Sequence, residues 1–311
     1  MIPPEKRKNS AASVRNRLLA LARERGEDFQ LLLTRYGLER LLYRLSESPH
    51  RDRFVLKGAM LFVLWSDTPH RPTRDVDFLG TGDSSDTGLA DVFRTLCAMS
   101  DQDDGVTFDP KSVRVEPIRD DTEYGGMRVT FTGQLAGARI PIQADIGFGD
   151  AVTPDALEMD YPTLLGDPEP RLRAYPRESV IAKKYQALVA LGIANSRMKD
   201  FFDLWVMARD FNFQGEALAL AIRNTFERRR TELPAGTPSG LSPSFADDRQ
   251  KNIQWQAFLS KMSAANDAPA LSAVCEHLSG FLSLPTEAAR QGVSFTATWQ
   301  GGGPWSQGAQ S

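Results

Sequence analysis

Cysteine is nearly absent: the 311-residue chain has two, Cys97 and Cys275. That is too few for a disulfide framework, and their separation matches no zinc site. No apolar run approaches the ~20 residues needed to span a bilayer. The opening Met1-Ile2-Pro3-Pro4-Glu5-Lys6 lacks a signal-peptide apolar segment. Together these absences lead us to expect a cytoplasmic chain with no membrane partner. Glycine and proline, at 24 and 19 residues, are too sparse for a collagen-like or low-complexity chain. There is no internal repeat. Nor does one sign of charge dominate, with 37 Lys and Arg against 40 Asp and Glu. What remains is ordinary globular composition, 41% hydrophobic and 25% charged, long enough for one large domain or two to three smaller ones.

The near-neutral total conceals an asymmetry. Residues 1–57 carry a net +6, residues 58–168 a net −12 and residues 169–311 a net +3. An acidic middle between basic flanks is the wrong pattern for a uniform DNA-coating protein. It suits a metal-binding centre with basic walls for a polyanion, although uneven surface solvation produces the same numbers.

Residues 1–50 read as a helical segment. Leu18, Leu19, Leu21 and Ala22 form an apolar stripe, capped by Ser10 or Ser13 and stopped by Gly26. Asp28 caps a second helix with the stripe Phe29, Leu32, Leu33, Tyr36, Leu41, Leu42 and Leu45; both helices read as amphipathic. Residues 51–168 read as an α+β core of four or five strands. Phe54-Val-Leu is a short strand, Ala59–Trp65 an apolar helix, and 66–72 a loop leading to Thr73-Arg74-Asp75-Val76-Asp77-Phe78-Leu79. Val113 and Val115 suggest another strand. Met127, Val129 and Phe131 alternate with Arg128, Thr130 and Thr132, and after a Gly-containing turn Ile140, Ile142, Ala144, Ile146 and Phe148 alternate again, which predicts a hairpin with one buried face. Residues 169–290 read as a helical C-terminal lobe, with helices over 178–191, from 195 or 196 to about 209, over 215–230 and over 252–282. A long loop is expected at 233–249. The tail 291–311, rich in Gly, Gln and Ser, is expected to be disordered.

Asp75 and Asp77 are two apart in a short strand, so both carboxylates leave one face while Val76 and Phe78 turn to the core. Like charges that close repel unless a cation or solvent lies between them. On the strand 139–149 every second residue is apolar, which puts Asp145 with Gln143 on the polar face. If the two strands are neighbours, three carboxylates converge on a hard cation such as magnesium. A solvated strand end is the competing reading of Asp-x-Asp alone. Gly58, at the start of the helix before that strand, would admit phosphate to backbone N–H groups, or simply serve a tight turn.

In the helix 178–191, Lys184 has Val180, Ile181, Ala187 and Leu188 as its three- and four-residue neighbours, whereas Lys183 has a mixed set. Lys184 therefore lies on a packing face, where it either snorkels or meets an anion. In the next helix Asp200 and Asp203 share one face. A carboxylate there also suits the helix dipole.

Four segments taken together resemble one family. They are Phe54-Val-Leu-Lys-Gly-Ala, Thr73-Arg-Asp-Val-Asp, Gln143-Ala-Asp-Ile-Gly-Phe-Gly-Asp, and Glu178-Ser-Val-Ile-Ala-Lys-Lys-Tyr-Gln-Ala-Leu followed by Asn195-Ser-Arg-Met-Lys-Asp-Phe-Phe-Asp-Leu-Trp. They are similar to the AbiEii/AbiGii (MenT-like) nucleotidyltransferase toxins, over about residues 13 to 230. The resemblance implies a DNA polymerase β-like nucleotidyltransferase mixed sheet followed by a helical lobe. It implies Mg2+-dependent transfer from an NTP, and an AbiEi-type antitoxin as partner. It also implies an RNA acceptor, since characterised members modify the acceptor end of tRNA and so block translation. Carried over residue by residue, it assigns Asp75 and Asp77 to metal, Lys184 and Asp200 to catalysis, and Thr73 to nucleotide binding together with Lys57, Gly58 and Lys184. Asp145 enters as the third carboxylate by strand position. The family's Gly-Gly or Gly-Ser is Gly58-Ala59 here, which leaves backbone N–H groups without a hydroxyl. Two other functions share this chemistry: nucleotidyl transfer to a protein or small molecule, and a non-catalytic NTP-binding module.

Overall fold

The computed structural model describes residues 11–66, 73–99, 104–118, 125–262 and 268–307. Ser10 and most of the 66–72 loop lie outside them, as do the last four residues of the tail. By internal packing the chain divides into two units. One runs to Gly149 and also takes up Leu157–Ala174; the other is Asp150–Ala156 with the chain from Tyr175 onward. The boundaries expected at 50 and 168 do not coincide with these. The first helices pack on the sheet, and residues 171–174 are one of its strands.

The first unit is built on one mixed sheet of eight strands: β1 (Phe54–Lys57), β2 (Val76–Gly80), β3 (Val106–Phe108), β4 (Arg114–Ile118), β5 (Gly126–Leu135), β6 (Ala138–Phe148), β7 (Leu157–Asp160) and β8 (Arg171–Ala174). Their order is β3-β5-β6-β2-β1-β8-β7, with β4 pairing on β5. β2 runs parallel to β6 and antiparallel to β1, while β5 and β6 form the expected hairpin. Val129, Ile140, Ile142, Ala144 and Ile146 are buried as the alternation requires. The α+β class holds, but eight strands replace the expected four or five. Three of the additional ones, β3, β7 and β8, have only three or four residues, too few to show a period.

Helices α1 (Ala11–Arg25) and α2 (Phe29–Ser46) sit where the stripes place them. Gly26, at φ +64°, ends α1, and the Asp28 carboxylate accepts from the Leu31 N–H at 2.9 Å. Ser13 lies inside α1 and is not its cap. α2 is not amphipathic: Glu39, Arg40 and Arg44 are buried with its leucines. The charges of Glu39 and Arg44 are met within the unit, while Arg40 lies over the Tyr36 and Tyr43 rings. Arg44 pairs with Asp104 at 2.9 Å and lies over the Phe108 ring. The Tyr36 hydroxyl donates to Asp167 at 3.0 Å. The apolar helix expected over 59–65 is a 3-10 turn, Gly58–Met60, followed by α3 (Leu61–Trp65); α4 (Asp86–Ala98) completes the unit.

The second unit contains α5 (Arg177–Leu191), α6 (Met198–Asp210), β9 (Phe213–Gln214), α7 (Gly215–Arg228), α8 (Pro243–Ala246), α9 (Arg249–Leu259), α10 (Leu271–Gln291), β10 (Thr298–Trp299) and β11 (Trp305–Ser306). The helix expected over 252–282 is two helices, α9 and α10. Within the expected loop, Phe245 is buried on α8 and stacks on Phe201 at 5.2 Å. The tail is ordered through residue 307, against expectation. β9, β10 and β11 form a small sheet, and the Trp299 indole N–H donates to the Ala208 carbonyl at 2.6 Å. Trp299 and Trp305 close on Phe281 at 4.9 and 5.9 Å. Three large rings bury enough apolar area to offset ordering of a Gly-rich segment. Among the described residues no helix is long and apolar enough to cross a membrane.

Buried Glu39 generates a pH test. Its carboxylate accepts from Arg35 Nε and the Leu164 N–H, yet burial raises its pKa from 4.5 to about 7. The protonated form is favoured on folding, so this contribution is full below pH 4.5 and is lost as pH rises through about 7. Glu39→Gln should remove that loss. Relative to wild type, the variant should gain stability between pH 4.5 and 7, by ~3 kcal/mol at the linkage limit. Thermal melts across this range would show it, and parallel pH profiles for the two proteins would contradict it.

Candidate active site

Strand register places four charged residues in one line across the sheet. Lys57 on β1 is the partner of Asp77 on β2, Asp77 of Asp145 on β6, and Asp145 of Arg128 on β5. Cross-strand partners leave the same face, so a cation, two carboxylates and a second cation stand side by side. The neighbouring strands β2 and β6 thus bring Asp77 and Asp145 together as expected, and the core residues Val76, Phe78, Ala144 and Ile146 fill the other face. Asp75 lies just before β2, and its Oδ1 accepts from the Thr73 hydroxyl at 2.5 Å.

Gly58 turns at φ +76°, and a Cβ there would overlap the Asp77 carboxylate, lying 2.7 Å from its Cγ. The glycine makes room for Asp77; a side chain at 58 would displace it. A Cβ at Gly147 would lie 2.8 Å from the Lys57 Nζ, so the ammonium rests over that bare backbone. Lys57 and Gly58 therefore both adjoin the acidic face. The turn and short helix that begin at Gly58 total only eight residues.

Arg128 is the residue that the sequence reading did not single out. Its Nε and Nη2 each donate to Asp145 at 2.8 Å, a bidentate pair. With its amide oxygen turned toward the guanidinium, Gln143 accepts from both nitrogens at 3.3 Å. Hydrogen bonding to Asp145 raises the Arg128 pKa further, and the charges of Asp145, Asp75 and Asp77 all act in the same direction. The alternation on β5 already placed Arg128 on the polar face; only the pairing register shows which residue it meets.

The expected magnesium ligands can be weighed on this geometry. Asp75 and Asp77 offer hard oxygen donors of the right kind, and Arg128 pairs with neither. Asp145 is different, since both its oxygens accept from Arg128. Among the described residues no three His, Cys, Asp or Glu side chains are grouped as a metal-ligand set. Asp75 and Asp77 fit the ion; the full triad does not. Burial pushes the thiols of Cys97 and Cys275 up to about 12, so neither supplies a thiolate nucleophile.

The second unit holds the lysine cluster. Lys184 on α5 reaches Asp200 at 2.6 Å and Asp203 at 2.8 Å on α6, both of them buried. Arg197 adds a 2.9 Å contact to Asp200. The packing-face reading of Lys184 is thus resolved in favour of an anion, and that anion is carboxylate. Asp203, recognised from sequence only as sharing a face with Asp200, is the second partner. Lys183 is engaged as well: its Nζ lies 2.9 Å from Asp150 and 2.5 Å from the Tyr175 hydroxyl. Burial raises the Tyr175 pKa, which keeps that hydroxyl neutral.

A mixed sheet that presents Asp-x-Asp beside a third aspartate is the arrangement expected of a nucleotidyltransferase. The sequence profile of the nucleotidyl transferase AbiEii toxin of type IV toxin–antitoxin systems matches residues 40–277, more than half of the chain; the protein belongs to that family. No curated protein matches it. Among solved structures, JHP933 from Helicobacter pylori is 14% identical with a TM-score of 0.48, over 85% of this chain and 93% of its own. A second H. pylori protein, provisionally described as a nucleotidyltransferase, is 15% identical with a TM-score of 0.47, over 85% and 96%.

The shared partners of Lys184 predict the behaviour of its variants. Lys184→Met removes the ammonium from two buried carboxylates and should lower unfolding free energy by ~2–4 kcal/mol in urea titration. Lys184→Met combined with Asp203→Asn removes one charge of each sign and should recover at least half of that loss. Equal stability of the single variant and wild type would show that the pairing contributes nothing.

Proposed function

We propose that the protein transfers a nucleotide from an NTP to an RNA acceptor, the 3′ end of tRNA, in a magnesium-dependent reaction that blocks translation. The observation that carries this reading is the line Lys57, Asp77, Asp145 and Arg128, with Asp75 beside it, on one face of the sheet of a nucleotidyl transferase toxin. Basic flanks on either side of the acidic middle of the sequence suit a polyanionic acceptor. The toxin–antitoxin family implies an antitoxin partner, for which an AbiEi-type protein is the proposed identity.

In the reaction the acceptor hydroxyl attacks the α-phosphorus of the NTP. A P–O bond forms as the bond to the bridging oxygen breaks; the hydroxyl proton passes to water, and pyrophosphate leaves. Asp75 and Asp77 would hold the magnesium ion, which supplies Lewis-acid polarisation of phosphate oxygens. Thr73 keeps the Asp75 carboxylate turned in place through its 2.5 Å hydrogen bond. Lys57 is assigned to triphosphate charge as a point cation, and the family resemblance gives Lys184 the same role. Asp200 and Asp203 hold the Lys184 ammonium at 2.6 and 2.8 Å, which makes them positioning residues.

Incubation with total tRNA and each α-labelled NTP in turn tests the proposal. Label should enter a product that ribonuclease destroys and protease does not. Asp75→Asn and Asp77→Asn should each reduce transfer by ~10²-fold or more, the scale of losing a principal electrostatic or acid–base group, with the melting temperature held or raised. Label in a protease-sensitive product would redirect the activity to a protein acceptor. Full transfer by both variants in magnesium would remove the carboxylates from the mechanism.

A further inference from the structure

We propose that Arg128 is a resident positive charge of the active site: it takes Asp145 out of metal coordination and stands where a second metal ion would otherwise be needed. The inference rests on the metal-dependent reading above and adds how many ions the site accepts. Three features of the sheet support it.

First, the Arg128–Asp145 contact is built into the backbone ladder. The two residues are direct partners on β5 and β6, and both guanidinium nitrogens donate at 2.8 Å. With one charge-assisted hydrogen bond on each oxygen, the Asp145 carboxylate has half of its four lone-pair sites taken and its charge already neutralised by the fork. An ion placed against it would also meet the guanidinium charge at close range. Second, the amide of Gln143, two residues before Asp145 on the same face, can accept from the same nitrogens and so hold the fork in plane. Third, the charges along the line balance. Lys57 and Arg128 offset Asp77 and Asp145, and Asp75 adds a single negative charge. Two divalent ions would face a net charge of about −1 from these residues, where hard-cation sites gather several carboxylates. One ion, held by Asp75 and Asp77 and completed by phosphate oxygens, matches this balance. Arg128 then acts on Asp145 and on the local field and is a positioning residue, with side-chain exposure of 42% that leaves it reachable by solvent and substrate.

Mn2+ binding followed by electron paramagnetic resonance provides the test, on the full chain, with Mn2+ alone and with a non-hydrolysable NTP analogue. Wild type should bind one Mn2+ per chain under both conditions. Asp77→Asn should weaken binding by about tenfold or more, whereas Arg128→Met combined with Asp145→Asn removes one charge of each sign and should stay within about threefold of wild type. Arg128→Met frees the Asp145 carboxylate and should tighten binding by about tenfold or admit a second ion. Thermal melts verify folding, and if Arg128→Met alone does not fold, the charge-neutral double variant decides. Loss of binding in the double variant equal to that in Asp77→Asn would overturn the assignment. So would two ions in wild type, or unchanged affinity in folded Arg128→Met. A wild type that binds no Mn2+ with either probe would overturn the metal-dependent reading and this inference together, an outcome distinct from the others.

Discussion

Backbone hydrogen bonding between the parallel strands β2 and β6 sets the position of every charged group on the acidic face. In the observed register Asp77 meets Asp145, and the same ladder stacks Val76 on Ala144 and Phe78 on Ile146 beneath them. The apolar residues leave no alternative, because a slip of either strand by one residue would send its two apolar side chains into solvent and its carboxylate into the core. The site is thus a by-product of core packing. β1 and β5 then add Lys57 and Arg128 at the two ends of the line, each through its own antiparallel register.

Charge is handled by close pairing in both units. In the first, Arg44 and Asp104 meet inside the core, while Arg128 and Asp145 meet on the half-exposed face. In the second, one lysine serves two buried aspartates on the neighbouring helix. Buried ions of this kind contribute little net stability and are costly to break singly. Their structural effect is to fix side chains that would otherwise sample many rotamers. For Lys184, a long flexible stem becomes a placed ammonium.

Local signals in the sequence were read well, and long-range pairing was not. The Asp28 cap, the stop at Gly26, the alternation of β5 and β6 and the shared face of Asp200 and Asp203 each depend on residues within a turn or two of one another. The family resemblance likewise rested on contiguous segments and agrees with the profile match over residues 40–277. By contrast, Arg128 could be placed on the correct face but not opposite Asp145, since that partnership spans 17 residues and is decided by the hairpin turn at Ala136 and Gly137. Strand β8 sits among Pro168, Pro170 and Pro176, a setting that argues locally against sheet. The burial of α2 on all sides follows from tertiary partners such as Asp104 and Asp167, which helix periodicity cannot anticipate. In the tail, composition misled: glycine and glutamine outnumber the two tryptophans that order it.

The return of the chain to the sheet at β8 has a consequence for synthesis. Residues 150–156 belong to the second unit, after which the chain re-enters the first to lay β8 alongside β1. Until Ala174 has been made, the outer edge of Phe54–Lys57 has no strand beside it, and the strand that carries Lys57 borders an open ladder. Open edges invite pairing with other chains. A ribosome that stalls or a protease that cuts before this point leaves a fragment whose sheet edge is open and prone to aggregate. The strand that closes this edge is thus the last element of the first unit to be made.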